Sequence, residues 1–324
     1  MWFWYRENEQ GEVSLLKIFG NLPVVTVPES IMGHPIVELA PYCFSEKNIY
    51  TGKEDGVKIA DAENLTFEDE SDTLEKELES GMIRELSGEY ITEVTLPDSL
   101  KKIGDLCFYQ CRNLESISIG GPELTIGSDA FMNCRRLHTF TLRTEAKNRT
   151  GLRQILLQRN EATDVYFEDA AVHFPEFSEH YDLIGPAHIF ELNIEGEGFR
   201  ARQCFESGVF QFENYDRNFV QACDREPACT LCRMAALRLK FPLNLRAEDR
   251  ERYEIYLLSH VEEFCEECIR QKDLSLLEAL SSQGLFEEKH FNICMEKMLQ
   301  AKWIQGTRMI LLIKKRLADE VRDC

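Results

Sequence analysis

Apolar residues recur every 23 positions between residues 91 and 142. Two consecutive stretches carry the same residue types in the same order, which rarely happens by chance and indicates an internal repeat. The matched pairs are Val94 and Ile117, Leu96 and Ile119, Ile103 and Ile126, Gly104 and Gly127, Phe108 and Phe131, Cys111 and Cys134, and Leu114 and Leu137. Within each unit, Leu-x-x-Ile-x-Ile alternates as a short strand does, and Ile-Gly-x-x-x-Phe-x-x-Cys returns the chain to the next unit. The pattern predicts coils that stack to bury their apolar faces, with ladders of phenylalanine and cysteine inside.

These repeats resemble the BspA-type leucine-rich repeat, whose unit reads Ile-Gly-x-x-Ala-Phe-x-x-Cys. Residues 126–134 follow that unit closely, residues 25–44 resemble its opening unit, and a hairpin predicted over 3–18 would cap the stack. The resemblance implies a bacterial protein with a short leucine-rich-repeat solenoid, built from a strand and a turn or short helix per coil. Relatives are often surface proteins and bind diverse ligands, so the resemblance implies binding without naming a ligand.

Polar side chains occupy the strand positions that alternate with the apolar ones, so we expect them on the solvent side of the predicted sheet. The candidate binding residues are Thr26, Glu93, Thr95, Ser116, Ser118, Thr139 and Thr141. Threonine favours strands and paired hydroxyls stabilise a sheet slightly, which is a purely structural interpretation. A polar platform for a partner protein is the functional interpretation, and the sequence leaves both open.

Beyond the repeats, the hydrophobic pattern changes twice, and it predicts an α+β fold in three regions. Residues 1–143 hold the repeats and an acidic insertion at 45–90, residues 144–215 form a mixed α/β closing segment, and residues 216–324 form an all-α domain. The middle region is predicted to contain a helix at 149–158, a strand at 164–167, and a β-meander with strands at 187–194, 199–205 and 209–213. Spacings of three and four then predict antiparallel helical hairpins, with helices at 217–224, 228–241, 247–271, 273–283, 287–301 and 303–320.

Charge narrows the classes of partner. The chain has 57 acidic and 37 basic residues, a formal charge of −20, which disfavours nucleic acid and anionic membranes as partners. Residues 54–85 alone carry net −9, in a predicted loop with one short amphipathic helix. A further hypothesis is therefore that this insertion mimics nucleic acid or docks a basic partner. Calcium binding there is disfavoured, because the acidic spacing lacks the glycine and closing glutamate of a calcium loop.

Cysteine usage and the start of the chain bear on location. The first residues lack the basic, apolar and small-residue regions of a secretory signal, and no apolar run approaches the roughly 20 residues that cross a bilayer. Twelve cysteines without an export signal predict reduced thiols and a cytoplasmic protein.

Two Cys-x-x-Cys pairs are the strongest chemical motif. Cys229, Cys232, Cys265 and Cys268 have the residue type and pair spacing of a four-thiolate zinc site. The second pair lies on the apolar stripe of the predicted 247–271 helix, which favours a place in the core.

No catalytic residue, metal ligand or cofactor is assigned. The leading hypothesis is a non-enzymatic scaffold or adaptor that binds a protein through the repeat sheet, the helical domain or both, and a zinc- or thiol-dependent protein is the alternative.

Overall fold

A computed structural model describes residues 1–47, 49–62, 70–121, 124–184 and 189–323. The protein is mixed α/β, with its helices mainly in the C-terminal half. The chain divides into two compact units. The repeat unit comprises Met1–Glu168 and Phe205–Phe210, and the helical unit comprises Asp169–Cys204 and Gln211–Cys324.

The elements are numbered along the chain. The strands are β1 (Trp2–Glu7), β2 (Val13–Gly20), β3 (Val24–Thr26), β4 (Ser30–Ile31), β5 (His34–Leu39), β6 (Lys58–Asp61), β7 (Arg84–Glu85), β8 (Glu93–Thr95), β9 (Lys102–Ile103), β10 (Ser116–Ile119), β11 (Thr125–Ile126), β12 (Thr139–Leu142), β13 (Thr163–Tyr166), β14 (Ala171–Phe174), β15 (Ser178–Ile184), β16 (Ile189–Glu195), β17 (Phe205–Glu206) and β18 (Val209–Phe210). The helices are α1 (Glu70–Glu79), α2 (Leu152–Leu156), α3 (Gly198–Ala201), α4 (Phe212–Ala222), α5 (Ala228–Lys240), α6 (Ala247–Ser259), α7 (Val261–Gln271), α8 (Leu274–Ser282), α9 (Glu288–Gln300) and α10 (Ile304–Asp323).

The repeat unit contains a parallel sheet in which β3, β8, β10, β12 and β13 lie side by side. Ser116 pairs with Glu93 on one side and with Thr139 on the other, so neighbouring strands are in register at the 23-residue step. A second sheet of the same coils pairs Lys102 of β9 with Thr125 of β11, again 23 residues apart. In both sheets, the strands of successive coils therefore pair in the register that the 23-residue period predicts.

The predicted N-terminal hairpin is confirmed. Strands β1 and β2 pair antiparallel, with Trp2 opposite Phe19, and β2 then pairs in parallel with β5, with Val13 opposite Ile36. Because β5 also pairs with β9, the hairpin continues the second sheet of the coils.

Inside the coils, the predicted ladders are confirmed. The rings of Phe44, Phe108 and Phe131 stack at centroid distances of 4.8 and 5.4 Å. Beside them, Cys111 Sγ donates to the Phe44 carbonyl at 3.2 Å, and Cys134 Sγ donates to the Phe108 carbonyl at 3.0 Å. Burial raises the pKa of the Cys111 thiol, so this cysteine packs as a neutral apolar side chain.

The repeated glycines have a steric cause. A Cβ on Gly104 would lie 2.5 Å from the Pro41 nitrogen, and one on Gly127 would lie 2.5 Å from the Asp105 nitrogen. Both obstacles are backbone atoms of the preceding coil, which cannot move aside as a flexible side chain can. Close stacking of the coils therefore requires glycine once per repeat.

The acidic insertion is more ordered than the predicted loop. Strand β6 pairs antiparallel with β1, with Ala60 opposite Phe3, so the loop interpretation is wrong at residues 58–61. The predicted amphipathic helix is confirmed as α1, whose Leu74 packs in a cluster with Trp2 and other apolar side chains. The acidic residues of 63–69 lie outside the described residues.

Two predictions for the middle region, residues 144–215, are wrong in detail. In place of the second strand of the predicted meander the chain forms α3, and the third shortens to β18 before α4 begins at Phe212. Helix α4 buries Phe212, Tyr215 and Phe219, which have helical spacing. The prediction missed the start of this helix because the short stretch before it alternates as a strand does. Residues 187–188 of the first predicted strand, 187–194, lie outside the described residues, and β16 covers the rest.

The predicted helix over 247–271 is divided into α6 and α7 at His260, whose backbone leaves the helical region with φ −130° and ψ 43°. The His260 ring stacks on Tyr256 at 4.1 Å, and its Nδ1 lies 3.0 Å from the Tyr256 carbonyl oxygen. The histidine is therefore a hydrogen-bonded packing residue.

The last helices form two hairpins with matching ends. Lys272 after α7 and Lys302 after α9 both adopt φ 54°. In each case the residue after this lysine closes the helix with a backbone hydrogen bond. Asp273 N donates to Cys268 O at 3.0 Å, and Trp303 N donates to Met298 O at 2.9 Å. Hairpin α9–α10 therefore repeats hairpin α7–α8 at an offset of 30 residues, and α7 packs on α9 and α8 on α10.

Candidate binding surface

The parallel sheet of the repeat unit brings together all seven residues predicted for binding. They lie in two rows that cross the strands, in register. One row is Thr26, Thr95, Ser118, Thr141 and Tyr166, and the other is Val24, Glu93, Ser116, Thr139 and Asp164. We call these two rows the sheet face. The residues between the rows, Val25, Val94, Ile117, Phe140 and Val165, are buried on the opposite side.

The sheet face is open but shallow. Thr26 and Glu93 are exposed, whereas Thr95, Ser116 and Ser118 are half-buried, as are Thr139 and Thr141. Because parallel strands bring these short side chains close together, each one partly covers the next. The predicted residues therefore offer hydroxyl groups and one carboxylate on a flat surface, with exposed apolar area contributed by Val24 at one edge.

Arg143 is a feature of this surface that sequence reasoning missed. Its guanidinium lies at the carboxyl end of the strands, where Nη1 donates to Ser118 Oγ at 2.7 Å and Nη2 to Asp98 Oδ1 at 2.7 Å. The same group also donates to the Leu96 carbonyl oxygen, so one side chain connects three successive coils. The repeat period cannot signal it, because the positions in register before Arg143 are Gly120 and Pro97.

The four cysteines of the alternative hypothesis are not held as a metal site. Among the described residues there is no group of three or more histidine, cysteine or acidic side chains able to hold a metal ion. Cys265 of α7 forms a disulfide with Cys294 of α9, so the prediction of reduced thiols is wrong for these two cysteines.

The other three thiols pack between helices. Cys229 Sγ donates to the Glu263 carbonyl and Cys232 Sγ to the His260 carbonyl, at 3.7 and 3.6 Å. Burial raises the pKa of Cys229, of Cys232 and of Cys268, and a reactive thiol needs the opposite shift.

None of the helices within the described residues combines the length and the apolar composition that crossing a membrane requires.

Comparison with known families identifies the repeats. Residues 61–155 match the family described as BspA type leucine rich repeat region (6 copies). This segment of the chain is therefore a BspA-type leucine-rich-repeat region, as the resemblance in the sequence implies. No curated protein matches the chain, and no solved structure matches it.

Proposed function

We propose that this protein is a non-enzymatic scaffold or adaptor whose repeat unit forms a short solenoid and binds a partner protein through the sheet face. The observation that carries the proposal is the alignment of all seven polar residues in two rows on one side of the parallel sheet. Leucine-rich repeats in general mediate protein–protein interaction, and stacked coils provide the extended surface for it.

The chemistry of the sheet face suits a polar, extended partner segment. Hydroxyl groups both donate and accept hydrogen bonds, and Glu93 adds an exposed carboxylate at one margin. Arg143 adds a half-exposed guanidinium at the end of the strands, already oriented by Asp98. The small side chains leave the partner to supply the bulky anchor residues that dominate most interfaces.

The test is affinity capture by the full chain from its native host, followed by direct binding of the captured protein. Ser116→Arg places a long cation in the middle of the sheet face without touching the buried side of β10. Thr125→Arg is the matched control, since Thr125 is an exposed strand residue in the other sheet of the same coils. We expect Ser116→Arg to abolish capture and Thr125→Arg to preserve it, with equal thermal stability of both variants. Capture of the same partner by both variants would contradict the proposal.

A further inference from the structure

The last helical hairpin carries an open apolar groove. Leu299 of α9 is 59% exposed, and Ile304 and Leu311 of α10 are 80% and 57% exposed. With Met298 and Thr307 they line a groove of about 270 Å³ whose accessible lining is almost wholly apolar. Exposed apolar side chains that are gathered in one place indicate an interaction site, whereas scattered ones do not.

In the preceding hairpin, the corresponding face of α8 is buried. Leu277 and Ser281 lie on α8, which packs on α10, and both are buried. Their counterparts 30 residues later are Thr307, which is half-buried, and Leu311, which is exposed. The face that α8 buries within the stack of hairpins is therefore open on α10, and a helix lying there would repeat the packing already present one step earlier.

Charge around the groove selects the occupant. Lys302 and Arg308 lie in its lining, and Lys315 follows Leu311 by one helical turn and is exposed. In the part of the chain that the structure describes, none of the three forms an ion pair with a carboxylate. A second copy of the chain related by a twofold axis would bring these cations against each other. Acidic residues on the occupant would instead pair with them.

We propose that this groove binds an amphipathic helix of a partner protein, with leucine-like side chains at i, i+4 and i+7 and acidic residues on both flanks. The apolar positions would fill the space between Leu299, Ile304 and Leu311, as helices do in hydrophobic grooves. The flanking carboxylates would face Lys302 and Arg308. This surface is separate from the sheet face, so either proposal stands without the other.

The proposal is tested with the full chain and two synthetic helical peptides by fluorescence anisotropy. Both peptides carry leucine at i, i+4 and i+7, one with glutamate and the other with lysine on the flanks. We expect the glutamate peptide to bind at least about tenfold more tightly than the lysine peptide. Arg308→Glu should reduce this preference, because it reverses one charge of the groove.

A matched pair of variants locates the site. Leu311→Asp places a charge in the groove, and Leu312→Asp changes the neighbouring leucine, which is 50% exposed but lies outside the lining. We expect about a tenfold loss of peptide binding for the first and unchanged binding for the second, at equal thermal stability. Ser116→Arg should leave peptide binding unchanged.

Three results would overturn the proposal. The first is equal affinity for the two peptides, and the second is an equal effect of Leu311→Asp and Leu312→Asp. The third is a dimer in sedimentation equilibrium that Leu311→Asp dissociates, since a second copy would then be the occupant of the groove.

Discussion

The repeat unit and the helical unit each bury an arginine, but the carboxylate partners of the two arginines lie in different environments. In the repeat unit, Arg159 is 4% exposed and donates to the carbonyl oxygens of Cys134 and Leu137, at 3.4 and 2.6 Å. It also pairs with the carboxylate of Glu161 at 3.2 Å, and Glu161 is 36% exposed. In the helical unit, Arg238 is fully buried and donates to both carboxylate oxygens of Asp216, at 2.8 and 2.9 Å. Both arginines also donate to carbonyl oxygens, so the difference lies in the carboxylate: the one beside Arg159 reaches solvent, whereas the one that receives Arg238 is buried with it.

Lys17 follows the same rule at the other end of the repeat unit. Its Nζ is buried and donates to the Ser45 carbonyl at 2.7 Å, and it also contacts the carboxylate of Glu85, which is 26% exposed. The repeat unit therefore buries cations without burying a carboxylate alongside them.

In the helical unit, the carboxylate of Asp216 is buried together with Arg238 and Tyr253. Tyr253 Oη donates to Asp216 Oδ1 at 2.8 Å, and Arg238 also donates to the carbonyls of Phe241 and Leu243, each at 2.9 Å. The cluster joins α4, α5 and α6, and its hydrogen bonds offset the cost of burying the ions. The difference teaches that the two units place the carboxylate partner of a buried cation differently: Glu85 and Glu161 of the repeat unit reach solvent, whereas Asp216 is buried.

The largest expected effect follows from removing the cation of that cluster. Arg238→Met leaves the carboxylate of Asp216 buried without a counter-ion, and we expect the free energy of unfolding to fall by about 3–5 kcal/mol. Urea denaturation of the full chain, followed by circular dichroism, measures the change. Adding Asp216→Asn should restore part of the loss, because the uncompensated charge is then gone. A loss below about 1 kcal/mol in the single variant would show that the cluster does not hold the unit.

A smaller effect is expected for the matched change in the repeat unit. Arg159→Met leaves two carbonyl oxygens without a donor but strands no buried carboxylate, so we expect a loss of about 1–3 kcal/mol by the same urea assay. A loss equal to that of Arg238→Met would remove the contrast between the two units.

The next effect depends on pH and again concerns the helical unit. Burial acts to raise the pKa of Asp273, but the hydrogen bond and charge of Arg233, 2.7 Å away, outweigh it and hold that pKa below its ordinary value of 3.8. Since the folded-state pKa is lowered, the stabilisation is present above the ordinary value and is lost as pH falls through the folded-state pKa.

Asp273→Asn tests this dependence, because asparagine keeps the N-terminal cap on α8 that Asp273 supplies through Leu276 N. We expect Asp273→Asn to cost about 1 kcal/mol at pH 7 and progressively less below about pH 4, in urea titrations at each pH. The exposed Asp224→Asn serves as the control and should show no such convergence. A wild-type advantage that grows on acidification would have the wrong sign.

The smallest effect concerns the polar group at the end of the sheet face. Arg143 is half-exposed, so Arg143→Gln should lower the free energy of unfolding by less than about 1 kcal/mol. Arg112→Gln, which breaks the exposed pair with Glu89, is the control and should behave alike. If Arg143→Gln cost more than about 2 kcal/mol, the repeat unit would also depend on a polar group that occurs once.

Much of the fold follows from periodicity alone. The 23-residue period predicts the register of β8, β10 and β12, and with it the two rows of the sheet face. The spacing of three and four predicts α5, α8, α9 and the start of α10 within one or two residues of their observed bounds. Both patterns can be read from short stretches of sequence, because apolar residues recur in them at a fixed spacing.

The rest could not be predicted because it depends on residues that occur once. The turn at His260 is hidden in an unbroken apolar stripe, and α4 follows a stretch that alternates like a strand. Arg143 lies on no repeat position, and Cys294 is distant in sequence from the Cys265 with which it pairs. Short alternating segments are compatible with either structure until a packing partner selects one.

The sequence by itself determined which residues stack, which face of the sheet is polar and where most helices lie, because a repeated pattern admits one register that buries all of its apolar positions. The tertiary structure alone decided which carboxylate receives Arg238, which coils Arg143 connects, and which leucines of α10 stay exposed. Those outcomes depend on groups that are remote along the chain, and a cation or an apolar side chain carries no local signal of the partner that folding brings to it.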